Sequence, residues 1–306
     1  MSSTSNEPQS LLSELSDSLA GAVERASASV VRVNARRRLG ATGVVWAADG
    51  VIVTADHVLE REDDITIDLP DGRAVPARLV GRDPSTDLAA LRVDAEGLTA
   101  IVPSPAAPRV GTMVLALGRG HGDAPMATFG VVSAVTGPWR TWRGGTLESV
   151  VRADANLYPG FSGGPLVDTE GRLVGINTSN LARGLGVTIP HAVVARVVQA
   201  LLAQGKVRRG FLGVATQPVA LPDAMRGALS LTQASGLLLL GVEPESPAEQ
   251  SGLMIGDVLV ALGGQPTPDL ESLQDRLGPG SVGTPQPARL VRGGQLVELS
   301  VTAGER

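Results

Sequence analysis

The sequence contains no cysteine, and histidine occurs only three times in 306 residues. Without cysteine the chain can form no disulfide and offers no thiol nucleophile, and zinc sites that combine cysteine with histidine are excluded. The histidines, His57, His121 and His191, are scattered along the chain instead of standing at the short spacings of metal-binding motifs. We therefore expect neither a metal nor another cofactor.

Aromatic residues and excess charge are also scarce. Aromatic side chains make up 2% of the chain, and 26 basic residues stand against 31 acidic ones, which gives a net charge of −5. A chain without a strong positive field is not expected to bind nucleic acid, so we interpret the adjacent arginines 36–38 as a solvated turn. A hydrophobic content of 43% indicates a globular protein, long enough for two domains.

Long apolar runs are absent from the start of the chain. Residues 1–10 are polar and rich in serine, which predicts disorder, and apolar residues then recur at helical spacing from Leu11 to Val23. The basic start, continuous apolar core and cleavage site of a signal peptide are missing, as are the roughly 20 apolar residues of a membrane span. Taken as written, the sequence predicts a cytoplasmic protein, or a periplasmic or extracytoplasmic one if an export signal is missing from this start.

Glycine, in contrast, is abundant, with 38 residues beside 21 prolines, which is typical of an all-β chain with many turns. Glycines surround one serine in Gly160-Phe161-Ser162-Gly163-Gly164. Such a turn exposes a hydroxyl and aims neighbouring N–H groups at one point, as acyl transfer requires. A flexible glycine-serine loop explains the same five residues equally well, so the motif alone does not decide.

A serine nucleophile needs a base and a group that orients the base. His57 follows an apolar, strand-like run, and Asp87 opens another such run. The order His57, Asp87, Ser162 matches one of the convergent triad orders. Asp56 is a rival partner for His57, but in a strand its side chain would point to the opposite face.

The glycine-serine turn also fits the nucleophile elbow of α/β-hydrolases, a fold in which the histidine must follow the serine. His191 is the histidine that follows Ser162, and it stands at the start of an apolar, helix-like stretch after a proline. We interpret His191 as a helix-start residue and His121, in a glycine-rich loop, as solvent-facing. The hydrolase fold is therefore disfavoured.

These motifs together resemble the HtrA (Deg) family of trypsin-like serine proteases. Residues 54–58, 87–91 and 160–166 resemble its histidine, aspartate and serine motifs, and further family-like phrases stand at residues 130–134, 175–178 and 184–190. The resemblance covers roughly residues 28–306. It implies an all-β dominated fold, a trypsin-like double β-barrel with six strands in each barrel, followed by a smaller α+β PDZ domain.

Together with the pattern of strands and turns, the resemblance implies three segments: a tail with a short amphipathic helix over 1–27, a protease domain over 28–205 and a PDZ domain over 206–306. A helix that Gly205 can stop is expected over 191–204, with an apolar face of valines and leucines. The strands are expected at residues 29–33, 42–46, 51–54, 65–69, 74–80 and 89–93 in the first barrel, and at 110–118, 126–135, 147–153, 165–168, 172–177 and 186–189 in the second.

The resemblance also implies roles for particular residues. The backbone N–H groups of Gly160 and Ser162 would form the oxyanion hole, and Leu157 would line the specificity pocket. Asn156 stands where pockets that select Lys or Arg carry an acid, so we expect a preference for small or medium aliphatic residues before the scissile bond. The substrates would be unfolded or exposed polypeptide segments. The protein would act in protein quality control and the stress response.

In the PDZ domain, residues 210–214 would form a loop that binds the carboxylate of a peptide C-terminus, which would regulate the protease. The residues expected in that loop are Gly210, Phe211, Leu212 and Gly213, although core packing is an alternative for Phe211 and Leu212. Trp139 and Trp142 are expected either as an exposed apolar sensor or as caps of the barrel. The resemblance also implies that the protein forms a homotrimer.

Two aromatic residues depart from the family pattern. The HtrA motif usually has Asn directly before the serine and again three residues earlier, where this chain has Phe161 and Tyr158. The phenylalanine could pack against the barrel or hold the loop in an inactive turn, since oxyanion loops of this family switch between active and inactive forms. The alternative function is a non-catalytic, peptide-binding scaffold that keeps the protease fold.

Overall fold

The structure, a computed structural model, describes residues 10–36, 39–120, 124–141, 146–182, 185–207 and 210–305. The chain divides into two compact units, Met1–Lys206 and Val207–Arg306. The first unit contains two closed barrels of six antiparallel strands, and the second is built on an open sheet with short helices. The predicted all-β dominated architecture is confirmed.

The first barrel is formed by runs of valine, isoleucine and leucine that alternate between the two sides of the sheet. Closure in the order β1-β2-β3-β6-β5-β4 leaves no free edge and encloses a core that includes Val33, Ile52 and Leu91. All six predicted strands are present: β1 Val30–Asn34, β2 Ala41–Ala47, β3 Val51–Ala55, β4 Ile65–Asp68, β5 Ala74–Asp83 and β6 Leu88–Val93.

The second barrel closes in the order β11-β14-β13-β12-β7-β8, and β9 and β10 form a separate two-stranded hairpin. Its first strand begins at Met113 and not at residue 110, because Thr112 N–H closes a turn onto the carbonyl of Arg109 at 3.0 Å. The strands are β7 Met113–Gly118, β8 Met126–Thr136, β9 Trp139–Arg140, β10 Thr146–Leu147, β11 Val150–Ala153, β12 Pro165–Val167, β13 Leu173–Ala182 and β14 Leu185–Pro190.

Two helices flank the barrels. Helix α1, Leu11–Ser27, is present as predicted, but it is buried through Ala22 and Ala26 while Leu11 and Leu12 are exposed. Helix α2, His191–Gln204, has the predicted bounds and ends at Gly205 in a left-handed conformation with φ 74°. Its valine face is buried, whereas Leu202, which the pattern placed on that face, is 40% exposed.

The second unit is a sheet in the order β16-β17-β18-β20-β21, with β19 paired to β18 and a separate β15-β22 pair. Its core includes Leu237, Leu259 and Leu290. Strand β16 lies at one edge of the sheet. The elements are β15 Gly210–Phe211, β16 Val214–Ala220, α3 Asp223–Leu229, β17 Ser235–Val242, α4 Pro247–Gln250, β18 Val258–Leu262, β19 Gln265–Pro266, α5 Leu270–Arg276, β20 Pro285–Arg292, β21 Gln295–Thr302 and β22 Gly304–Glu305.

Candidate active site

His57 and Asp87 form a close pair within the first barrel. His57 lies in a short 3₁₀ turn, Asp56–Val58, directly after β3, and Asp87 lies directly before β6, which pairs with β3. The Nδ1 atom of His57 is 2.7 Å from Oδ2 of Asp87, and the backbone N–H of His57 donates to Oδ1 at 2.9 Å. One carboxylate therefore fixes both the ring and the backbone of the histidine.

The carboxylate of Asp87 is held from several sides. Asp87 is fully buried and has a φ of 57°, a left-handed conformation that Asp tolerates better than most residues. The hydroxyl of Thr178, on β13 of the second barrel, also donates to Oδ2, while the carbonyl of Asp87 accepts from Asp56 N–H at 3.0 Å. A buried carboxylate needs such donors, because burying it without partners costs several kcal/mol.

Asp56, the rival partner, is engaged elsewhere. Its carboxylate accepts from Nε of Arg82, on β5, and is almost fully buried. The structure thus places Asp87 and not Asp56 against the imidazole of His57. The expected reason, strand alternation, does not apply, because residues 56–58 form a 3₁₀ turn instead of continuing the strand.

The interpretation of Arg36 as part of a solvated turn is wrong. The Arg36 side chain is 21% exposed and donates from Nη2 to the carbonyl of His57 at 3.0 Å and from Nε to the carbonyl of Val58 at 3.2 Å. Burial lowers the pKa of its guanidinium, against the opposing influence of Glu60 and Asp87, and an arginine remains charged under such a shift. Arg36 therefore pins the turn that carries His57. Arg37 and Arg38 lie outside the described residues.

Ser162 lies in the second of two consecutive tight turns that share Phe161. Phe161 N–H donates to the carbonyl of Tyr158 at 3.0 Å, and Gly164 N–H donates to the carbonyl of Phe161 at 2.9 Å. Gly163 N–H is engaged by the carbonyl of Asn177 at 2.8 Å. In the described part of the chain, no group accepts a hydrogen bond from the N–H of Gly160 or of Ser162. These are the two donors that the motif predicts for an oxyanion hole.

Phe161 packs into the core of the second barrel. Its side chain is 1% exposed, and it lies in a buried cluster that includes Val114, Ala116 and Leu166. The ring of Tyr158 meets it edge to face, with centroids 5.8 Å apart and planes at 81°. The ring thus packs against the barrel, which is the first of the two arrangements that the sequence left open.

His57, Ser162, Gly160 and Leu157 line one cleft of about 320 Å³. In this cleft the hydroxyl of Ser162 lies 3.1 Å from the hydroxyl of Ser179, on β13. Sequence reasoning missed Ser179. The contact joins residues 17 positions apart on different elements, and no sequence motif indicated it.

Leu157, the residue expected in the specificity pocket, lines the cleft that contains His57 and Ser162. Besides lining the cleft, its side chain lies against Gly186 of β14 so closely that a Cβ on Gly186 would come within 2.6 Å of the leucine. Asn156 next to it is exposed, and its carbonyl accepts from the Thr128 hydroxyl at 2.8 Å. The part of the cleft wall that Leu157 forms is thus apolar.

The remaining histidines and tryptophans lie away from these contacts or outside the described chain. His191 is the first residue of α2, and its ring stacks on Trp46 with centroids 5.3 Å apart. Trp139 is half-buried in β9, while His121 and Trp142 fall outside the described residues. Across the described ranges, no three His, Asp or Glu side chains gather where they could hold a metal ion.

In the second unit, the predicted carboxylate-binding residues lie where the chain enters β16. Gly210 N–H is already engaged by the carbonyl of Leu277 at 2.8 Å, and Leu212 is 3% exposed, with its carbonyl accepting from Ala248 N–H at 2.8 Å. Gly213 has a φ of 79° and leaves no room for a Cβ, which would meet Ser246 at 2.3 Å. No acceptor for the N–H of Leu212 or Gly213 is present among the residues described.

Comparisons with known proteins agree with this architecture. A trypsin-like peptidase domain model matches residues 41–176, and a PDZ domain model matches residues 210–303. A relative from Halomonas elongata named "Probable periplasmic serine endoprotease DegP-like" is 34% identical over 276 residues, covering 88% of this chain and 57% of the relative. One of the same name from Chlamydia trachomatis is 33% identical, covering 89% and 55%. The chain thus spans just over half the length of these relatives.

Solved structures match over nearly the whole chain. The serine endoprotease from Yersinia pestis is 31% identical, with a TM-score of 0.75 and coverage of 94% of this chain and 98% of that one. The HtrA-type protease AlgW, solved with a decapeptide, is 31% identical, with a TM-score of 0.74 and the same coverage. The two barrels, the second sheet unit and these similarities together show that the chain belongs to the HtrA (Deg) family of trypsin-like serine proteases with a PDZ domain.

Proposed function

We propose that this protein is a serine endopeptidase that cleaves exposed or unfolded polypeptide segments through an acyl-enzyme, in protein quality control under stress. The observation that carries the proposal is the pairing of His57 Nδ1 with the buried carboxylate of Asp87 at 2.7 Å, in a cleft that Ser162 also lines. A buried acid, an oriented imidazole and a hydroxyl are the three groups that acyl transfer requires.

In the proposed mechanism, Ser162 attacks the carbonyl carbon of a peptide bond while His57 Nε2 takes the hydroxyl proton. His57 then returns that proton to the leaving amine, and water repeats the sequence on the acyl-enzyme. Asp87 keeps the Nδ1 proton in place and stabilises the imidazolium. Rotation of the Ser162 hydroxyl from Ser179 toward His57, between staggered rotamers, precedes the attack.

The tetrahedral intermediate carries its negative charge on the former carbonyl oxygen. We assign the N–H groups of Gly160 and Ser162 to that oxygen, because their neighbours Phe161 and Gly163 already donate within the fold. Removing one such donor typically costs about 10²–10³ in turnover. The backbone conformation of these residues therefore matters as much as the side chains of His57 and Asp87.

We assign Leu157 to the pocket for the residue before the scissile bond. Its apolar side chain against Gly186 and the exposed amide of Asn156 offer no charge to a Lys or Arg side chain. A panel of fluorogenic peptides should therefore show best cleavage after small or medium aliphatic residues. Best cleavage after Lys or Arg would overturn this assignment without affecting the triad.

Digestion of casein by the wild type and by Ser162→Ala tests the endopeptidase function. Wild type should degrade casein, and Ser162→Ala should not, with both proteins melting at the same temperature. Equal inactivity of the two proteins over a range of temperatures would instead support the non-catalytic, peptide-binding scaffold.

We further propose that the second unit binds peptide C-termini by adding the peptide as a strand to the free edge of β16. The N–H groups of Leu212 and Gly213 remain for the terminal carboxylate, in a loop with Phe211, whereas that of Gly210 is used by Leu277. Isothermal titration with a peptide and its C-terminal amide tests this assignment. The amide should bind at least tenfold more weakly, and equal affinities would contradict it.

The compartment and assembly are proposals of the same kind. The relatives from Halomonas elongata and Chlamydia trachomatis are named periplasmic, which supports the extracytoplasmic alternative over the cytoplasmic one. None of the helices in the described ranges is long and apolar enough to cross a membrane. A homotrimer stays a prediction, which the mass measured by light scattering after gel filtration would test.

A further inference from the structure

The residues before Ser162 form a turn whose type can be read from the structure. Tyr158, Pro159, Gly160 and Phe161 are closed by a hydrogen bond from Phe161 N–H to the carbonyl of Tyr158, 3.0 Å long. Proline fixes the φ of position 159 near −65°, and Gly160 has a φ of +90°. A negative φ followed by a positive φ defines a type II turn, for which Pro-Gly is the favoured central pair.

The type of this turn decides where one oxyanion donor points. Type I and type II turns share their end residues but differ by a flip of the central peptide group. Here the central peptide joins Pro159 to Gly160, so the flip reverses the direction of the Gly160 N–H. A 3₁₀ helix that began one residue earlier would require Tyr158 to adopt helical backbone angles. The proline that follows Tyr158 disfavours those angles.

The exit of the turn is anchored in the barrel core. The Phe161 ring lies over Gly118 so closely that a Cβ there would come within 2.4 Å of Cδ1, and the side chain is 1% exposed. The carbonyl of Gly160 accepts from the hydroxyl of Thr42 at 2.6 Å, and that hydroxyl in turn accepts from Arg119 N–H at 2.7 Å. These contacts fix the chain from the carbonyl of Gly160 onward, so a rearrangement that moved residues 160–161 as well as the central peptide would have to withdraw the ring or break this chain of hydrogen bonds.

Resting on the proposed function, we propose that Pro159 and Phe161 are positioning residues that keep the oxyanion hole formed when no peptide is bound to the second unit. Each acts at a different point: Pro159 limits the conformations of the turn before Gly160, and Phe161 fixes the chain after it. The aromatic residue that departs from the family motif is thus the anchor of a preformed site, in place of a loop that must be switched on.

The test uses the full-length protein without added peptide. The variants are Phe161→Asn, which restores the usual family residue, and Pro159→Ala, with Phe129→Asn and Pro105→Ala as matched controls at exposed positions. Two quantities are measured: the rate of Ser162 labelling by a fluorophosphonate probe, and kcat and KM for a fluorogenic peptide. Thermal melts report folding of each variant.

Wild type and both controls should label rapidly. Phe161→Asn should lower labelling and kcat by about 10²-fold, the loss expected for one oxyanion donor, with KM changed far less. Phe161→Leu, which keeps an apolar anchor, should recover most of that loss. Pro159→Ala should lower kcat by roughly twofold to fivefold. Because residue 159 is exposed, this variant keeps the test decisive if Phe161→Asn does not fold.

Labelling of Phe161→Asn and Pro159→Ala at the wild-type rate would overturn the inference and leave the proposed function intact. Equal losses of kcat and of substrate affinity would also overturn it, because a general loosening of the fold does not act on the transition state alone. Absence of labelling in the peptide-free wild type would also overturn the inference, and labelling that appears once a peptide with a free C-terminus is added would leave the proposed function intact. Absence of labelling in wild type both with and without that peptide would count against the proposed function.

Discussion

The two sides of the cleft are built in different ways. On the first-barrel side, His57 is held by side chains: the carboxylate of Asp87 at 2.7 Å and the guanidinium of Arg36, which binds the backbone of the same turn. On the second-barrel side, Ser162 is held by backbone turns and by the apolar ring of Phe161. Its own hydroxyl touches one side chain among those described, Ser179.

This difference follows from what each group must do. A base has to keep one tautomer and tolerate a positive charge, which a buried, hydrogen-bonded carboxylate provides. A nucleophile has to rotate toward its base, and its oxyanion donors must remain unpaired until substrate arrives. Removing a group that holds His57 should therefore impair mainly proton transfer. Removing a group that holds Ser162 should impair mainly stabilisation of the oxyanion.

The largest effect is expected from Asp87→Asn. An amide cannot hold the Nδ1 proton of His57 in the required tautomer, so kcat should fall by about 10⁴-fold. Asp56→Asn is the control, since Asp56 adjoins His57 but pairs with Arg82. It should lower thermal stability while the kcat of the folded protein, counted by active-site titration, stays close to wild type. Comparable losses of kcat in both variants would contradict the assignment of Asp87.

Thr178→Val should have the next largest effect. It removes the hydroxyl that donates to Asp87 Oδ2 from the opposite barrel, and a hydrogen bond to a charged group is worth about 1.5–3 kcal/mol. We expect kcat to fall by about 10- to 100-fold in steady-state assays with a fluorogenic peptide. Thr188→Val, an equally buried substitution on the neighbouring strand, should cost stability but little kcat. A larger loss of kcat in Thr188→Val than in Thr178→Val would contradict the role assigned to the hydrogen bond between Thr178 and Asp87.

Gly118→Ala tests the anchor of the serine side. A Cβ at residue 118 would lie 2.4 Å from the Phe161 ring, so the ring must move, at a cost of about 1–3 kcal/mol in the free energy of unfolding. Chemical denaturation should show this loss together with a roughly tenfold lower kcat. Adding Phe161→Leu to Gly118→Ala should restore part of both. Additive losses in the double variant would show that the two residues do not share one site.

Ser179→Ala should produce a small gain. The hydroxyl of Ser179 lies 3.1 Å from that of Ser162, and we infer that this contact must break when Ser162 turns to His57; such a hydrogen bond is worth about 0.5–1.5 kcal/mol net. Labelling of Ser162 by a fluorophosphonate should therefore be about twofold to tenfold faster in Ser179→Ala, with Ser133→Ala as a matched control. Slower labelling would show that Ser179 assists the nucleophile instead of competing for it.

The smallest effect concerns the contact between the first barrel and helix α2 through Trp46 and His191. Burial lowers the pKa of His191, so the folded state binds its proton less readily than the unfolded state does. Above the unfolded pKa, near 6.5, His191 is neutral in both states and the folded protein has its full stability. As the pH falls from there toward the folded pKa, the unfolded state takes up the proton first, so the free energy of unfolding decreases. His191→Phe, which keeps the stacking on Trp46, should flatten the fall in melting temperature between about pH 7 and pH 5. An unchanged slope would exclude His191 as its source.

Much of the fold was predictable because its signals are local. Alternating apolar runs between turn residues located the strands of both barrels, and helix α2 has the predicted ends because His191 follows a proline and Gly205 can adopt a left-handed conformation. The stripe of leucines in α1 predicted a helix correctly but not its packing, since Leu11 and Leu12 are exposed while Ala22 and Ala26 are buried. Periodicity shows which residues share a face, not whether anything covers that face.

The less predictable parts of the site depend on contacts between distant segments. The sequence predicts Arg36 as a charge in a solvated run, and its contact with the His57 turn depends on β1 and β3 running parallel on either side of β2, so that both end on the same side of the barrel. Thr178 lies in one of the family-like segments, residues 175–178. Its contact with Asp87 spans 91 positions and crosses from one barrel to the other, so the sequence does not predict it. The contact of Ser179 with Ser162 and the packing of the Phe161 ring on Gly118 also join residues that are distant in the sequence.

The most direct test of the whole account is the rate at which a fluorophosphonate modifies the peptide-free protein, compared between wild type and His57→Ala. Peptide mapping should place the adduct on Ser162, and the second-order rate constant should fall by at least about 10³-fold when the base is removed. Modification at another residue, or an equal rate in His57→Ala, would contradict the claim that Ser162 is a nucleophile activated by His57.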